Sequence, residues 1–241
     1  IELLNKREYL ADIPIKHAIE EGRSFIKLAI RVKKEIVAYN IPENEYNMSQ
    51  VGTHLNASEF NKALENPDTL VVDMRNYYES EVGHFNNAIL PDVERSQELL
   101  PEVKRLLKNN EDKEVLLYCT GGIRCEKASS YLLHHGFKDV KQLKGGIIQY
   151  AQDVKTDNID SKVIGSNFVF DQRLEERITD DIISKCHQCG ISSDTHTDCL
   201  NQACHILFIQ CEKCREKFNG CCSIECKDFA SLQIDEQRTE N

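Results

Sequence analysis

The sequence has no apolar run as long as a transmembrane helix requires. Its first ten residues carry charges, and no apolar run of the kind found in a secretory signal peptide follows them. It also lacks a basic excess, because 30 lysines and arginines stand against 40 aspartates and glutamates, giving a net charge of −10. These absences predict a cytoplasmic protein with no membrane partner. They also argue against a simple electrostatic grip on nucleic acid.

The length of 241 residues, 40% of them hydrophobic, is enough for one full core and one or two smaller units. We expect domains at residues 1–45, 46–155 and 156–241. The first contains two short stretches with strand character, Phe25 to Lys33 and Glu35 to Tyr39, which are too few to complete a sheet. Because the chain starts with Ile1 rather than Met, we expect this segment to be part of a larger domain.

Residues 46–155 alternate between strand and helix patterns. The predicted elements are a helix capped by Ser58 and reaching Leu64, a strand from Leu70 to Val72, and a helix from Ser96 to Lys108. This alternation predicts an α/β domain with a mostly parallel sheet flanked by helices. Ligand sites in such sheets lie at the carboxyl ends of the strands, where Asp73 and Cys119 both fall.

Cys119 is a candidate nucleophile. The apolar run from Val115 to Tyr118 predicts a buried strand before it, and Glu126 to His135 predicts a helix after it. A cysteine at a helix N-terminus, with Arg124 nearby, is expected to have a lowered thiol pKa and to react as a thiolate. The alternative is that Cys119 is one more buried and unreactive thiol.

The loop between Cys119 and Arg124 consists of Thr120, Gly121, Gly122 and Ile123. Glycines let backbone N–H groups turn inward toward an anion, so we interpret these residues as a cradle for the sulfur. Cysteine-dependent phosphatases bind phosphate in a loop one residue longer. The shorter loop favours a single extra sulfur or oxygen atom on Cys119 over a phosphate.

Three further motifs surround this loop in order: Asp73-Met74-Arg75, Gly83-His84-Phe85-Asn86-Asn87-Ala88-Ile89 and Leu143-Lys144-Gly145-Gly146-Ile147. Together with the Cys119 loop they resemble the rhodanese family over about Val51 to Asp153. Within them, Arg75 and Glu79 are four residues apart. We predict that these two form a structural ion pair shaping the loop after Asp73.

The resemblance narrows to one bacterial family, the rhodanese-type tRNA uridine hydroxylases. The residues that carry it are Tyr118-Cys119-Thr120-Gly121-Gly122-Ile123-Arg124-Cys125-Glu126-Lys127-Ala128-Ser129, then Gly165-Ser166-Asn167-Phe168-Val169-Phe170-Asp171, and the Cys-rich tail. The resemblance implies hydroxylation of the wobble uridine in the tRNA anticodon to 5-hydroxyuridine, with dioxygen as co-substrate. It also implies that residues 1–45 belong to a ferredoxin-like or acylphosphatase-like domain. No flavin or haem motif is evident.

The last third of the chain contains nine of the eleven cysteines, at positions 186, 189, 199, 204, 211, 214, 221, 222 and 226. Two Cys-x-x-Cys pairs have the spacing of cross-braced zinc sites, so we assign one structural zinc ion to Cys186, Cys189, Cys211 and Cys214. A second cluster drawn from the other five is an open alternative. Free or paired thiols are another, although disulfides are disfavoured in the cytosol.

Cys125 follows Arg124 in the first turn of the predicted helix. It is a candidate resolving thiol, which would receive an oxidised or sulfurated Cys119. The alternative is that its side chain packs into the core, because only the relative orientation of two thiols decides whether they meet.

An RNA-modifying enzyme must reach a base edge, so an extruded anticodon base is the expected object of recognition. Candidate stacking residues are Tyr77, Tyr78, Phe85 and Tyr150. Basic residues that would offset the negative net charge are Lys141, Lys144, Arg173 and Arg177.

Three hypotheses follow. The first is a tRNA uridine hydroxylase that uses Cys119. The second is a sulfurtransferase that takes a sulfane sulfur from a donor and carries it as a persulfide on Cys119. The third is a zinc-stabilised binding module in which the thiol of Cys119 is incidental.

Overall fold

The computed structural model describes residues 6–8, 31–33, 35–171 and 173–233. The chain forms two compact units, Ile1–Arg31 and Val32–Asn241. The first unit, including most of the predicted strand Phe25 to Lys33, lies outside the described residues apart from residues 6–8 and 31. The ferredoxin-like domain at 1–45 therefore stays a prediction. Among the described helices, none combines the length and the apolar character needed to cross a bilayer.

The second unit contains nine strands and seven α-helices in its described residues. The strands are β1 (Thr53–Leu55), β2 (Leu70–Asp73), β3 (Gly83–Phe85), β4 (Glu114–Tyr118), β5 (Asp139–Leu143), β6 (Val163–Phe168), β7 (Glu175–Arg177), β8 (His196–Asp198) and β9 (Leu207–Ile209). The helices are α1 (Ala57–Ala63), α2 (Tyr77–Ser80), α3 (Ser96–Leu106), α4 (Ile123–His134), α5 (Gly146–Asp157), α6 (Glu212–Phe218) and α7 (Ile224–Ser231).

A parallel sheet in the order β1-β5-β4-β2 forms the centre of the rhodanese-like region, as the alternating pattern predicts. Side chains of β4 alternate between its two faces. Val115 and Leu117 pack on the side of α3 and α4, and Leu116 and Tyr118 pack on the side of α1 and α5. Cys119 continues the first row. The apolar run before the cysteine is thus buried on both faces, which fixes the end of β4 firmly.

Several predicted boundaries shift for local reasons. The first helix is capped by Asn56 rather than Ser58, because Asn56 accepts the Glu59 amide hydrogen while the Glu59 carboxylate accepts the Asn56 amide hydrogen. Helix α4 begins three residues earlier than predicted, directly after Gly122. The predicted strand from Glu35 to Tyr39 is not formed.

The segment before β1 nevertheless contributes to the core. Tyr39 is 1% exposed and packs in the cluster that contains Cys119 and Cys125. Its hydroxyl donates a hydrogen bond to the Arg124 carbonyl, at 3.2 Å. Residues that the sequence pattern assigned to a sheet therefore cover the start of α4 instead.

The C-terminal part of the unit packs against α2. Strand β6 pairs antiparallel with both β3 and β7, and β8 pairs antiparallel with β9. The His196 Nε2 atom lies 3.1 Å from the Tyr78 carbonyl oxygen, and the His187 Nε2 atom lies 2.8 Å from the Glu81 carboxylate. The tail thus contacts the same short helix that carries Glu79.

Candidate functional site

Cys119 lies at the carboxyl end of β4, in the loop that leads into α4. The residue is only 1% exposed, but it lines a cavity of about 610 Å³ together with Thr120, Gly121, Ile123 and Arg124. A reactant that enters this cavity can therefore approach the sulfur, although little of the Cys119 side chain is exposed.

The backbone of the loop turns toward the sulfur. Gly122 has a φ of 87°, a left-handed conformation that favours glycine, and its N–H donates a hydrogen bond to the Cys119 Sγ atom at 3.1 Å. Helix α4 starts at the next residue, so the positive end of its dipole lies beside the same sulfur. The predicted cradle of inward-facing amide groups is present at Gly122.

The thiol of Cys119 is acidified by its surroundings. A hydrogen bond with Cys125 is the main cause that lowers the pKa of Cys119, from 9.0 to about 6. The charge of Arg124 and the backbone N–H groups of Arg124 and Cys125 lower it further, against the opposing effect of burial. Cys119 is therefore a thiolate near neutral pH.

Cys125 differs from Cys119 in its protonation. It is fully buried on α4, and burial raises the pKa of Cys125 well above its ordinary value. A neutral thiol next to a thiolate is a hydrogen-bond donor. Cys125 packs in the same core cluster as Cys119, which is the second alternative raised by the sequence, and its role as a resolving thiol stays a prediction.

The Gly145-Gly146 turn supports the loop from the other side. The Ile147 N–H donates to the Cys119 carbonyl at 3.0 Å, and the Ile148 N–H donates to the Thr120 carbonyl at 3.1 Å. A Cβ atom on Gly146 would lie 2.4 Å from the Cys119 carbonyl oxygen. Only glycine allows this close approach, and Gly146 also has a φ of 68°.

The predicted ion pair between Arg75 and Glu79 is wrong. Glu79 instead accepts hydrogen bonds from both terminal nitrogens of Arg124, at 2.5 and 2.7 Å, and its carboxylate is fully buried. Thr120 also donates to this carboxylate, at 3.1 Å. Burial alone lowers the pKa of Arg124, but the hydrogen bonds and charge of Glu79 raise it above its ordinary range. Arg124 therefore acts on Cys119 through its charge while Glu79 holds it in place.

Arg75 pairs with Asp73. The Arg75 side chain is fully buried and donates to both carboxylate oxygens of Asp73, the shortest contact being 2.6 Å. It also donates to the Gly83 carbonyl at 2.6 Å and to the Asn167 side-chain oxygen at 3.3 Å. These contacts join β2, β3 and β6. Asp73 and Arg75 therefore stabilise the strands around the site without contacting Cys119.

The cavity has aromatic walls that the sequence indicated only in part. Tyr78 lines it, whereas Phe85 and Tyr150 are fully buried core residues and cannot stack on a ligand. Sequence reasoning missed Phe170, which is 60% exposed, lines the cavity, and lies 5.9 Å from the Arg124 guanidinium. The signal was present, because Phe170 belongs to the string after Gly165 that carries the family resemblance.

The basic residues expected to offset the negative charge are largely neutralised. Lys141 forms ion pairs with Glu114 and Asp139, the first a very short contact. Arg173 pairs with Asp171, and Arg177 pairs with Glu175 and Asp194. These three residues do not form a free basic surface for phosphates, so that expectation is wrong for them.

The tail contains two groups of four cysteines, each with all four sulfurs within 4.8 Å of one another. The first is the predicted group Cys186, Cys189, Cys211 and Cys214. The second is Cys199, Cys204, Cys222 and Cys226, which leaves out Cys221. Four convergent thiols suit a tetrahedral, thiophilic metal, so both groups could hold an ion.

The parallel sheet and the cysteine loop at its carboxyl edge define a rhodanese-like domain. The family model described as Rhodanese-like domain matches residues 56–153, and one described as Rhodanase C-terminal matches residues 164–227. The chain is also 48% identical to the tRNA uridine(34) hydroxylase of Pectobacterium carotovorum, over 98% of its own length and 67% of that protein. It belongs to the tRNA uridine(34) hydroxylase family.

A second relative is similarly close. The tRNA uridine(34) hydroxylase of Leptospira interrogans is 49% identical over 98% of this chain and 64% of its own length. The chain thus spans about two thirds of the length of the curated relatives that it matches.

Solved structures of single rhodanese-like domains align with less than half of the chain. The domain from Anabaena has a TM-score of 0.37 at 19% identity, and covers 46% of this chain and 78% of that one. A rhodanese-like domain protein from Staphylococcus aureus has a TM-score of 0.34 at 26% identity, and covers 41% of this chain and 90% of that one.

Proposed function

We propose that this chain hydroxylates the wobble uridine of tRNA at C5, with Cys119 as the reactive thiolate in the cytoplasm. One observation carries the proposal: a cysteine with a lowered pKa faces a cavity, in a chain about half identical to proteins named tRNA uridine(34) hydroxylase. The substrate is an anticodon base that leaves its stack, because a modifying enzyme must reach the edge of the base.

The reaction replaces a C5–H bond by a C5–OH bond. Dioxygen supplies the oxygen atom, and its second atom leaves as water after taking up two electrons and two protons. Two thiols that close into a disulfide provide these electrons and protons. The balance is uridine, dioxygen and two thiols giving 5-hydroxyuridine, a disulfide and water.

Cys119 and Cys125 are the thiols that we assign to this role. Cys119 lines the cavity as the thiolate, and Cys125 lies behind it in the same core cluster as the neutral thiol. In this scheme Cys125 acts as the resolving thiol, and Arg124 with the Gly122 N–H holds Cys119 as an anion between turnovers. Thr120, Gly121, Gly122 and Ile123 form the cradle, and Asp73, Arg75 and Glu79 support it.

The cavity is suited to a planar base. The exposed ring of Phe170 and the side chain of Tyr78 line it, and aromatic rings stack on bases without regard to sequence. The net charge of −10 does not favour electrostatic binding of the rest of the tRNA, whose phosphates are also negative. We therefore expect base stacking to contribute more, and phosphate contacts less, than in basic RNA-binding domains.

The alternative function is sulfur transfer, which the small size of the cradle favours. The Cys119 thiolate would attack the outer sulfur of thiosulfate, forming an S–S bond and releasing sulfite. The persulfide would then be passed to an acceptor thiol. The Gly122 N–H that donates to the Cys119 Sγ atom could equally stabilise the anionic sulfur of a persulfide.

We further propose that Cys186, Cys189, Cys211 and Cys214 bind a structural zinc ion, since four thiolates in tetrahedral reach are the usual ligands of such sites. When bound, the ion would hold the two Cys-x-x-Cys segments of the tail together and would take no part in the reaction at Cys119.

The deciding experiment measures 5-hydroxyuridine by mass spectrometry in tRNA from a deletion strain that carries this gene. We expect the wild-type gene to restore the modification and Cys119→Ala to abolish it. Full modification with Cys119→Ala would overturn the proposal. A thiosulfate:cyanide assay on the same proteins tests the alternative, and activity there without any tRNA hydroxylation would favour sulfur transfer.

A further inference from the structure

The second group of four cysteines lies outside the site described above and outside the zinc site assigned from the Cys-x-x-Cys pairs. We propose that Cys199, Cys204, Cys222 and Cys226 hold a second zinc ion and that the two ions cross-brace the tail. This inference concerns the tail alone and does not depend on the reaction at Cys119.

The distances between the sulfurs match a tetrahedral zinc site. A zinc–sulfur bond of about 2.3 Å places two tetrahedral ligands about 3.8 Å apart. The Cys222 and Cys226 Sγ atoms are 3.5 Å apart, and the Cys204 and Cys222 Sγ atoms are 3.7 Å apart. In the first site, Cys189 and Cys211 show a similar separation of 3.6 Å. Disulfide bonds would require about 2.05 Å.

Polar hydrogens point at the sulfurs of the second group. The Cys222 backbone N–H donates to the Cys199 Sγ atom at 3.4 Å, and the Asn201 side-chain amide donates to the Cys226 Sγ atom at 3.4 Å. Sulfurs that accept N–H hydrogen bonds are suited to carry the negative charge of metal thiolates. Neighbouring groups of this kind are common around metal ligands because they orient them.

The tail also needs a stabilising element of this kind. Between residues 184 and 233, all of which the structure describes, the buried apolar side chains other than cysteine are Phe208 and Ile209. So small a core does not stabilise a fold of this size by itself, and structural metals commonly replace the missing apolar contacts.

The two sites alternate along the chain. The first site uses Cys186 and Cys189, and the second site uses the next two cysteines, Cys199 and Cys204. Cys211 and Cys214, at the start of α6, then complete the first site. Cys222 and Cys226 complete the second site around the start of α7. Each ion would therefore close a loop that contains two ligands of the other, so the two sites together hold one continuous stretch of the tail.

Zinc is the favoured ion because the ligands are four thiols. Zn²⁺ replaces the four thiol protons and forms four zinc–sulfur bonds without any change of oxidation state. The sulfurs lie too close together to surround a four-iron cluster. A single iron ion would have the same tetrahedral geometry, so the metal analysis must report iron as well as zinc.

The test is the metal content of the full chain, purified under reducing conditions and analysed for zinc and iron by mass spectrometry. We expect two zinc ions per chain in the wild type. One zinc ion, or iron in place of zinc, would overturn the proposal. Native mass spectrometry of the same wild-type sample counts bound ions without any variant, so a misfolded mutant cannot obscure the result.

Two adjacent cysteines provide a matched pair of variants. Cys222→Ser removes a ligand, while Cys221→Ser alters a buried neighbour whose thiol donates to the Asn219 carbonyl. We expect one zinc ion in Cys222→Ser, two in Cys221→Ser, and one in Cys214→Ser, which removes a ligand of the first site. Two zinc ions in Cys222→Ser would show that the second site does not use this sulfur and would overturn the ligand set.

Discussion

The carboxylate of Glu79 receives both terminal nitrogens of Arg124, although 45 positions separate the two residues in the chain. Glu79 is fully buried on α2, and the Arg124 side chain is 13% exposed. This pair fixes the guanidinium next to the Cys119 loop, where its charge favours the thiolate.

Replacing Glu79 by Gln should weaken both stability and reactivity. The substitution leaves the largely buried Arg124 cation without its counter-charge, which typically costs about 3–5 kcal/mol. We expect a loss of that order in the free energy of unfolding, measured by urea denaturation. Glu102→Gln is the control, because Glu102 forms an exposed ion pair with Arg105 and its loss should leave the urea midpoint unchanged. Equal midpoints for the two variants would contradict the supporting role of Glu79.

The pH dependence of alkylation should reveal the thiolate. Because the pKa of Cys119 is lowered from 9.0 to about 6, its reaction with iodoacetamide should be lost as the pH falls through about 6 and should level off above it. Peptide mass spectrometry separates Cys119 from the other ten cysteines. Cys125→Ala removes a hydrogen-bond donor and should move the midpoint upward, whereas Cys125→Ser keeps a donor and should move it less. A wild-type midpoint near 9 would refute the acidified thiol.

Gly146→Ala should disrupt the loop more than an ordinary glycine substitution. The Cβ atom of an alanine at position 146 would lie 2.4 Å from the Cys119 carbonyl oxygen. Gly136 has a similar positive φ, but an added Cβ there meets nothing within 4 Å. We therefore expect Gly136→Ala to lose only about 1–2 kcal/mol of backbone energy and to keep its activity. Gly146→Ala should lose more stability and at least ten-fold in tRNA hydroxylation, and similar behaviour of the two variants would argue against the bracing role of the turn.

Phe170→Ala should raise the KM for tRNA. Loss of one base–aromatic stack costs roughly 1–3 kcal/mol, so the KM is expected to rise on the order of ten-fold while kcat changes little. Phe170→Tyr keeps the ring and should behave as the wild type. Ile224→Ala serves as a second control, because Ile224 is exposed but lies in the tail outside the cavity. An unchanged KM in Phe170→Ala would remove this ring from substrate binding.

The strand, loop and helix around Cys119 were predictable because they depend on local patterns. The apolar run before the cysteine is buried on both faces, and the glycine of the loop takes the positive φ that other residues avoid. The first four-cysteine group was predictable for the same reason, since ligand spacing is written in the sequence.

The partners of the charged residues were not predictable in this way. A four-residue spacing pairs side chains only when both lie on one helix, and α2 begins at Tyr77, after Arg75. Arg75 therefore turns back to Asp73, and Glu79 is left to meet Arg124 from a distant part of the chain. Phe170 and Tyr39 reach the site through tertiary packing, which leaves no periodic signal in the sequence.

The contacts of His196 with Tyr78 and of His187 with Glu81 bear on how this chain can be shortened for experiments. Helix α2 is one turn long. On one side Glu79 binds Arg124 of α4, and on the other side Tyr78 and the adjacent Glu81 contact histidines of the cysteine-bearing tail. A fragment of the chain that ends after α5 would lack the contacts between the tail and α2. In such a fragment the Arg124 guanidinium would be held less firmly by Glu79, and the pKa of the Cys119 thiol would change. Kinetic measurements should therefore be made on the chain that includes the tail.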